Sequence, residues 1–182
     1  AQAGKRVVLV DSDMRKGRLY NVFDIMPRPG LSNYLSGVVP ADFEGDKDDI
    51  INYIQETEVR HLYVIAAGNV PPNPSELLVS PKMTKMINEL KELCDIIIFD
   101  STPSLIVADP VILARQVDSS IIVTSYNRTK MDKVEKVKNS IEQVGGKIAG
   151  IVMNKVPVSS KKYEDSYYYG NTEITTRVKR ES

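Results

Sequence analysis

The segment spanning residues 7–17, VVLVDSDMRKG, constrains this chain more than any other, because an apolar run passes straight into two acids one residue apart. A buried parallel strand reads as a continuous apolar run, and side chains alternate along it, so Asp11 and Asp13 leave the strand end on the same side. Open α/β sheets bind their ligands at such strand ends. Two carboxylates aimed at one spot repel each other unless a cation lies between them. Mg2+ is the commonest such partner, usually held by one or two carboxylates plus substrate oxygens. Arg15 and Lys16 follow at once and suit phosphate oxygens. The same residues admit a plainer role, in which Asp11 caps the next helix, Asp13 supports its first turn and the basic pair is solvated.

A second acid-tipped run lies at residues 95–100, DIIIFD, followed by the breakers Ser101, Thr102 and Pro103. This is the form of a Walker B strand, whose terminal Asp serves the Mg2+ of a P-loop nucleotidase. Alone it is a weak pattern; with the first strand it favours a site for phosphate and metal.

Composition narrows the remaining classes. The chain has 182 residues, 42% hydrophobic and 26% charged, which suits one ordinary domain with a full core. Twenty-four basic residues balance twenty-four acidic ones, so no global basic field argues for nucleic acid. The single cysteine, Cys94, excludes an internal disulfide and any multi-cysteine zinc site, and reads as a core residue at a helix end in a reducing compartment. No signal peptide and no run long enough to span a bilayer is visible, which points to the cytosol, or to a membrane reached through a partner.

Apolar runs at residues 6–10, 62–66, 96–99, 120–124 and 148–153 read as strands, and helical periodicity lies between them. Ser80 as N-cap and Pro81 at the first position open the clearest helix, with Met83, Met86, Ile87, Leu90 and Leu93 on one face. Another runs from Asp132 to the stop at Gly145 and Gly146, with Val134, Val137, Ile141 and Val144 inward. A weaker one covers residues 48–55, with Ile50, Ile51 and Ile54 inward. This alternation predicts a doubly wound, mostly parallel sheet with helices on both faces. Residues 68–78, GNVPPNPSELL, read as a rigid turn with Ser75 as an N-cap before Glu76. The tail carries Tyr163 and then Tyr167, Tyr168 and Tyr169 in succession among polar neighbours, so it reads as exposed and mobile. It is either a sticky interaction segment or a phosphorylation substrate. Residues 1–158 are expected to form the α/β domain and residues 159–182 a flexible tyrosine-rich tail.

Taken together, DSDMR with Asp11, Asp13 and Arg15, GLSNYLSG from Gly30, PPNPSELL from Pro71, IIIFD and the tyrosine cluster resemble the bacterial tyrosine autokinases that regulate capsule and exopolysaccharide synthesis. The resemblance spans residues 1–170. It implies a P-loop fold using ATP and Mg2+. Asp11 would assist deprotonation of the incoming tyrosine, while Asp13 and Asp100 would serve the magnesium directly or through water, and Arg15 would contact the nucleotide. Asn154, in the MNK segment closing the last strand, matches the position that reads adenine in the wider family; strand-end capping explains it nearly as well. Tyr163, Tyr167, Tyr168 and Tyr169 would be phosphoacceptors in a neighbouring subunit of a homo-oligomer. Implied partners are a membrane-anchored activator or polysaccharide co-polymerase, separate or fused, and a cognate tyrosine phosphatase. The implied location is the inner face of the membrane.

Departures from the family pattern matter as much. The family's glycine-rich Walker A loop, with its Lys and Ser or Thr, has no counterpart here: Gly4 and Lys5 are followed by Arg6 and a strand. The first core strand and the P-loop are therefore expected to be missing. A central gap in the sheet should follow, with unpaired backbone groups and weak kinase activity for this chain alone. After Asp100, Ser101, Thr102 and Pro103 replace the usual Thr, Pro, Pro. Two rival functions remain open. One is a partitioning or division-site switch ATPase; the other is a noncatalytic adaptor phosphorylated by a separate kinase.

Overall fold

The computed structural model describes residues 1–157. The tail, with Tyr163, Tyr167, Tyr168 and Tyr169, lies outside the described residues.

The first strand, β1 (Val7–Asp11), pairs in parallel with β3 (Leu62–Ile65) on one side and β4 (Ile96–Asp100) on the other. A two-residue strand, β2 (Gln55–Glu56), adds antiparallel to β3, giving the order β2-β3-β1-β4. The strands β5 (Ser120–Ser125) and β6 (Ile148–Asn154) pair in parallel as a separate sheet. The strands thus divide into two separately hydrogen-bonded sheets. Apolar side chains on both are uncovered: Ile98 of β4 is 48% exposed, and Val123 of β5 is 65% exposed.

The main core forms where the residues 80–93 periodicity meets the sheet. Helix α4 (Pro81–Leu93) starts as the sequence predicts: Ser80 Oγ accepts the Met83 N–H at 3.3 Å, and Pro81 fills the first position without a wasted donor. Its buried face of Met83, Met86, Ile87 and Leu90 joins Val8 and Val10 of β1, Ile65 of β3, and Leu31, Tyr34 and Leu35 of helix α2 (Leu31–Ser36). Cys94 closes α4 as a buried core residue, its thiol donating to the Leu90 carbonyl. Tyr34 is fully buried, edge-on to Tyr53 at 5.3 Å between ring centroids, with the Lys82 ammonium over its ring and its hydroxyl donating to Glu89 Oε2 at 3.0 Å. Burial, and then that bond and the Glu89 charge, push its pKa well above the usual tyrosine value. Helix α6 (Met131–Gln143) packs Val137 and Ile141 on Ile122, Ile148 and Ala114, which builds a second, smaller core. No helix among the described residues is long and apolar enough to cross a membrane.

Three expectations are corrected. Residues 48–55 form only a 3-10 turn, Ile50–Tyr53, and three residues per turn face Ile50 and Tyr53 inward while Ile51 is exposed. Residues 68–78 end not in a rigid turn but in helix α3 (Pro74–Leu78), with Pro74 at the first position and Asn73 preceding it. Ser75 is therefore not its N-cap; proline's fixed φ starts the helix one residue earlier. Val144 lies past the end of α6 and is exposed. The short helix α5 (Asp109–Ala114) was not anticipated from the sequence, and α1 (Leu19–Phe23) only as the unbounded helix that Asp11 would cap.

The GLSNYLSG segment bolts α2 to the end of β3. Leu31 N–H donates to the Ala66 carbonyl at 2.8 Å and Ser32 N–H to that of Ala67 at 3.0 Å. Asn33 Oδ1 accepts the Gly30 and Asn69 N–H groups. A Cβ on Gly30 would sit 2.2 Å from the Ala66 carbonyl oxygen, where only backbone could yield. Gly30→Ala should therefore lower stability by about 1–3 kcal/mol in urea unfolding; an unchanged midpoint would show that α2 can lift from β3 freely.

Candidate active site

In the register of the first sheet, Asp11 at the end of β1 stands opposite Asp100 at the end of β4. What holds these ends together is Ser12, which the sequence reading passed over. It is fully buried, and both its backbone N–H (2.8 Å) and its hydroxyl (2.5 Å) donate to the Asp100 carbonyl. With Ser12 turned inward, its neighbours Asp11 and Asp13 are carried to the same strand end as Asp100.

Each acid of the DSD sequence divides its oxygens. Asp11 Oδ2 accepts the Leu19 N–H at 3.0 Å, which caps the start of α1, whereas its Oδ1 is buried without a hydrogen-bond partner. Asp13 Oδ1 accepts the Lys16 N–H at 2.9 Å and that of Arg15 at 3.2 Å, closing the turn, and Oδ2 has no hydrogen bond among the described residues. The capping role and the ligand role considered for these acids are thus not exclusive, because one oxygen per carboxylate is free for each. Gly17 lets the turn fold over Asp11: a Cβ there would lie 2.4 Å from Ala67 Cβ and 2.8 Å from Asp11 Oδ2.

Electrostatics mark the same cluster. Burial, with a further push from the charge of Asp100, holds the Asp11 carboxyl above its ordinary range despite the backbone donors around it. Asp100 as a residue is exposed, but its carboxylate is partly desolvated and faces Asp13, and both effects raise its pKa. These are acids short of a cation. The hydroxyls of Ser101 and Thr102, just beyond Asp100, are buried and unpartnered. No group of three or more His, Cys, Asp or Glu among the described residues could cage a metal alone. The donor set instead suits Mg2+ shared with phosphate oxygens, which needs only one or two carboxylates.

Arg15 extends from this turn, and its Nε donates to Asp109 Oδ2 at 3.3 Å. Asp109, at the first position of α5, is 1% exposed and was missed in the sequence because no apolar strand leads into it. Its other oxygen accepts the Ser75 hydroxyl at 2.5 Å. Asn154 stands apart from these groups. It ends β6 in the second sheet, opposite Ser125, and its Oδ1 accepts the N–H of Lys155 at 2.7 Å. That is strand-end capping, and no described contact joins it to the acids.

A mostly parallel sheet with helices around it is the fold of the P-loop kinases and ATPases. Consistent with this, the division-site protein MinD of Pyrococcus horikoshii, solved with Mg-ADP, shares the fold at a TM-score of 0.67 and 20% identity, covering 87% of this chain and 61% of that one. No protein-family model matches the chain. The tyrosine-protein kinase CpsD of Streptococcus agalactiae is 40% identical over 171 residues, 93% of this chain and 71% of the relative. The kinase domain of the Escherichia coli tyrosine kinase ETK superimposes with a TM-score of 0.77 at 31% identity, covering 87% of this chain and 59% of that domain. The chain belongs to the capsule-associated bacterial tyrosine-protein kinases. It spans less than two thirds of the solved ETK domain.

The raised acids set a pH test. Because the folded state holds protons on Asp11 and Asp100 to higher pH than the unfolded chain does, their contribution is complete below the ordinary aspartate pKa. It is lost as pH rises through their raised values. Asp100→Asn should therefore unfold at a higher temperature than the parent at pH 7, with the difference gone near pH 3. Millimolar Mg2+ should stabilise the parent and not the variant, since only a ligand of the folded state shifts the midpoint; equal responses would remove the metal from this site.

Proposed function

We propose that the protein is an ATP-dependent protein-tyrosine autokinase that regulates capsular or exopolysaccharide synthesis by phosphorylating a C-terminal tyrosine cluster in a neighbouring subunit. The observation that supports this reading is the convergence of Asp11, Asp13 and Asp100 at the paired ends of β1 and β4, where burial and mutual charge raise the Asp11 and Asp100 carboxyls and Asp11 Oδ1 has no hydrogen-bond partner. Asp13 and Asp100 would hold Mg2+, which when bound neutralises charge on the transferring phosphate. Asp11 suits the general base: its Oδ1 has no partner, and its raised pKa brings it nearer to working pH. Burial of that oxygen sets a steric condition, since the acceptor hydroxyl must displace whatever covers it. Arg15 supplies a guanidinium for phosphate oxygens. Asn154 is assigned to adenine by resemblance alone.

Tyr163, Tyr167, Tyr168 and Tyr169 are the proposed acceptors. Exchange between subunits suits a tail tethered near its own site, and each phosphate adds about 1.5–2 negative charges that would drive the oligomer apart. A membrane-anchored activator, separate or fused, would place the protein at the inner face of the membrane, and a cognate phosphatase would reset it. These 182 residues contain no glycine-rich Lys-Ser or Lys-Thr loop, so by themselves they should phosphorylate poorly.

The test is to incubate the full-length gene product with Mg2+ and γ-labelled ATP and to map phosphotyrosine by mass. Label should appear on the tail cluster, and Asp13→Asn or Asp100→Asn should reduce it about 100-fold or more. Free phosphate without labelled tyrosine would make the protein a switch ATPase; label appearing only when a separate kinase is added would make it an adaptor.

A further inference from the structure

The contact between Arg15 and Asp109 joins parts of the chain that the mechanism above leaves separate. Arg15 comes from the turn after β1, Ser75 from the first turn of α3 and Asp109 from the first turn of α5. Both oxygens of the buried Asp109 carboxylate are occupied, Oδ1 by the Ser75 hydroxyl and Oδ2 by Arg15 Nε. A buried carboxylate is costly unless paired, so these donors hold it as firmly as it holds them. Ser75 and the α5 backbone leave the acid little freedom, and the acid in turn fixes the arginine.

Which nitrogen is bonded matters. The carboxylate takes the guanidinium by its Nε edge, and among the described residues neither terminal nitrogen of Arg15 makes a hydrogen bond. The Arg15 side chain is 40% exposed while that of Asp109 is 1% exposed, so the guanidinium is anchored on its inner edge and open on its outer one. A bidentate arginine–carboxylate pair makes two parallel N–H···O bonds, whereas here Asp109 takes only one, from Nε. The terminal nitrogens remain available, on a turn that also carries Lys16 and Asp13, the latter facing Asp100.

Resting on the kinase reading above, we propose that Asp109 is a positioning residue: with Ser75 it orients Arg15 so that the two terminal nitrogens meet the phosphate oxygens of the nucleotide. Asp109 touches no reacting atom. It acts through Arg15, and Ser75 acts through Asp109. The PPNPSELL segment then serves the site through one hydroxyl, and the start of α5 through one carboxylate. Asp109→Asn keeps the shape but removes the negative charge; its amide nitrogen can still donate to the Ser75 hydroxyl, so what weakens is the charge-assisted bond that holds Arg15 Nε. Arg15→Lys removes Nε altogether and with it the atom that Asp109 holds.

The experiment uses the full-length gene product, measuring phosphotyrosine formation against ATP concentration together with the amide-type Nε–H signal of Arg15 by nitrogen NMR. Asp109→Asn should lower kcat about 10–100-fold with KM for ATP changed less than about threefold, the range expected when a contact group is misplaced rather than removed. In an Arg15→Lys background the same change should have no further effect. Ser75→Ala should give a smaller loss in the same direction, and Ser75→Thr, which keeps the hydroxyl, should restore wild-type kcat. The Arg15 Nε–H should exchange slowly in the parent and rapidly in Asp109→Asn. Two results overturn the proposal while the parent remains an active kinase: multiplicative losses in the double variant, or an Asp109→Asn protein with a lower unfolding midpoint and an unchanged kcat. A parent that labels no tyrosine overturns the kinase reading itself, and the positioning role with it.

Discussion

The carbonyl oxygen of Asp100 receives two donors from Ser12, and the arrangement of charge in this molecule depends on that oxygen. A carbonyl has two lone pairs, and a buried hydroxyl and a buried N–H both need an acceptor, so the contact satisfies three groups in one place. Its position is set in turn by the β1–β4 register, which rests on Val8, Val10, Ile97 and Phe99 packed in the core with α4. The chain of cause runs from apolar packing to strand register, from register to one carbonyl, and from that carbonyl to the facing acids.

This arrangement works against the fold's stability. Asp11 and Asp100 both hold raised carboxyls, Asp11 Oδ1 is buried without a partner, and the repulsion has no internal remedy among the described residues. Local rules broken at one spot and kept elsewhere are what a functional site produces. Around it the rules are kept: Ser80 caps, Pro74 and Pro81 start helices, methionine, leucine and tyrosine fill the core, and the buried Ser32 and Asn33 beside it are hydrogen-bonded.

Much of this was legible in sequence, and the reasons differ by residue. Five of the six described strands were visible as continuous apolar runs, whereas β2, two polar residues long, was not. Helix α4 was visible because its cap, its proline and its buried stripe agree. Asp11, Asp13 and Asp100 stood out as acids at the ends of such runs. Ser12 did not, since a serine between two aspartates carries no signal of which backbone it will meet. Asp109 and Ser75 were hidden for a similar reason: they are far apart in the chain, and only the docking of α3 near α5 brings them together. The short helices α2 and α5 escaped, and α1 was signalled only by Asp11 as a cap, because five or six residues hold too few turns to show a period. In the turn Ile50–Tyr53 the period itself was misjudged, three residues standing where 3.6 was assumed.

The buried Tyr34 has a further consequence for a protein that modifies tyrosine. Its hydroxyl is turned toward the Glu89 carboxylate, beneath the Lys82 ammonium and against the Tyr53 ring, in a setting that resists both ionisation and approach. A phosphate there would be forced against a carboxylate inside the main core. Tyr34 is thereby removed from the pool of acceptors for as long as the domain stays closed. Phosphate found on it would be a chemical record of molecules whose main core had opened.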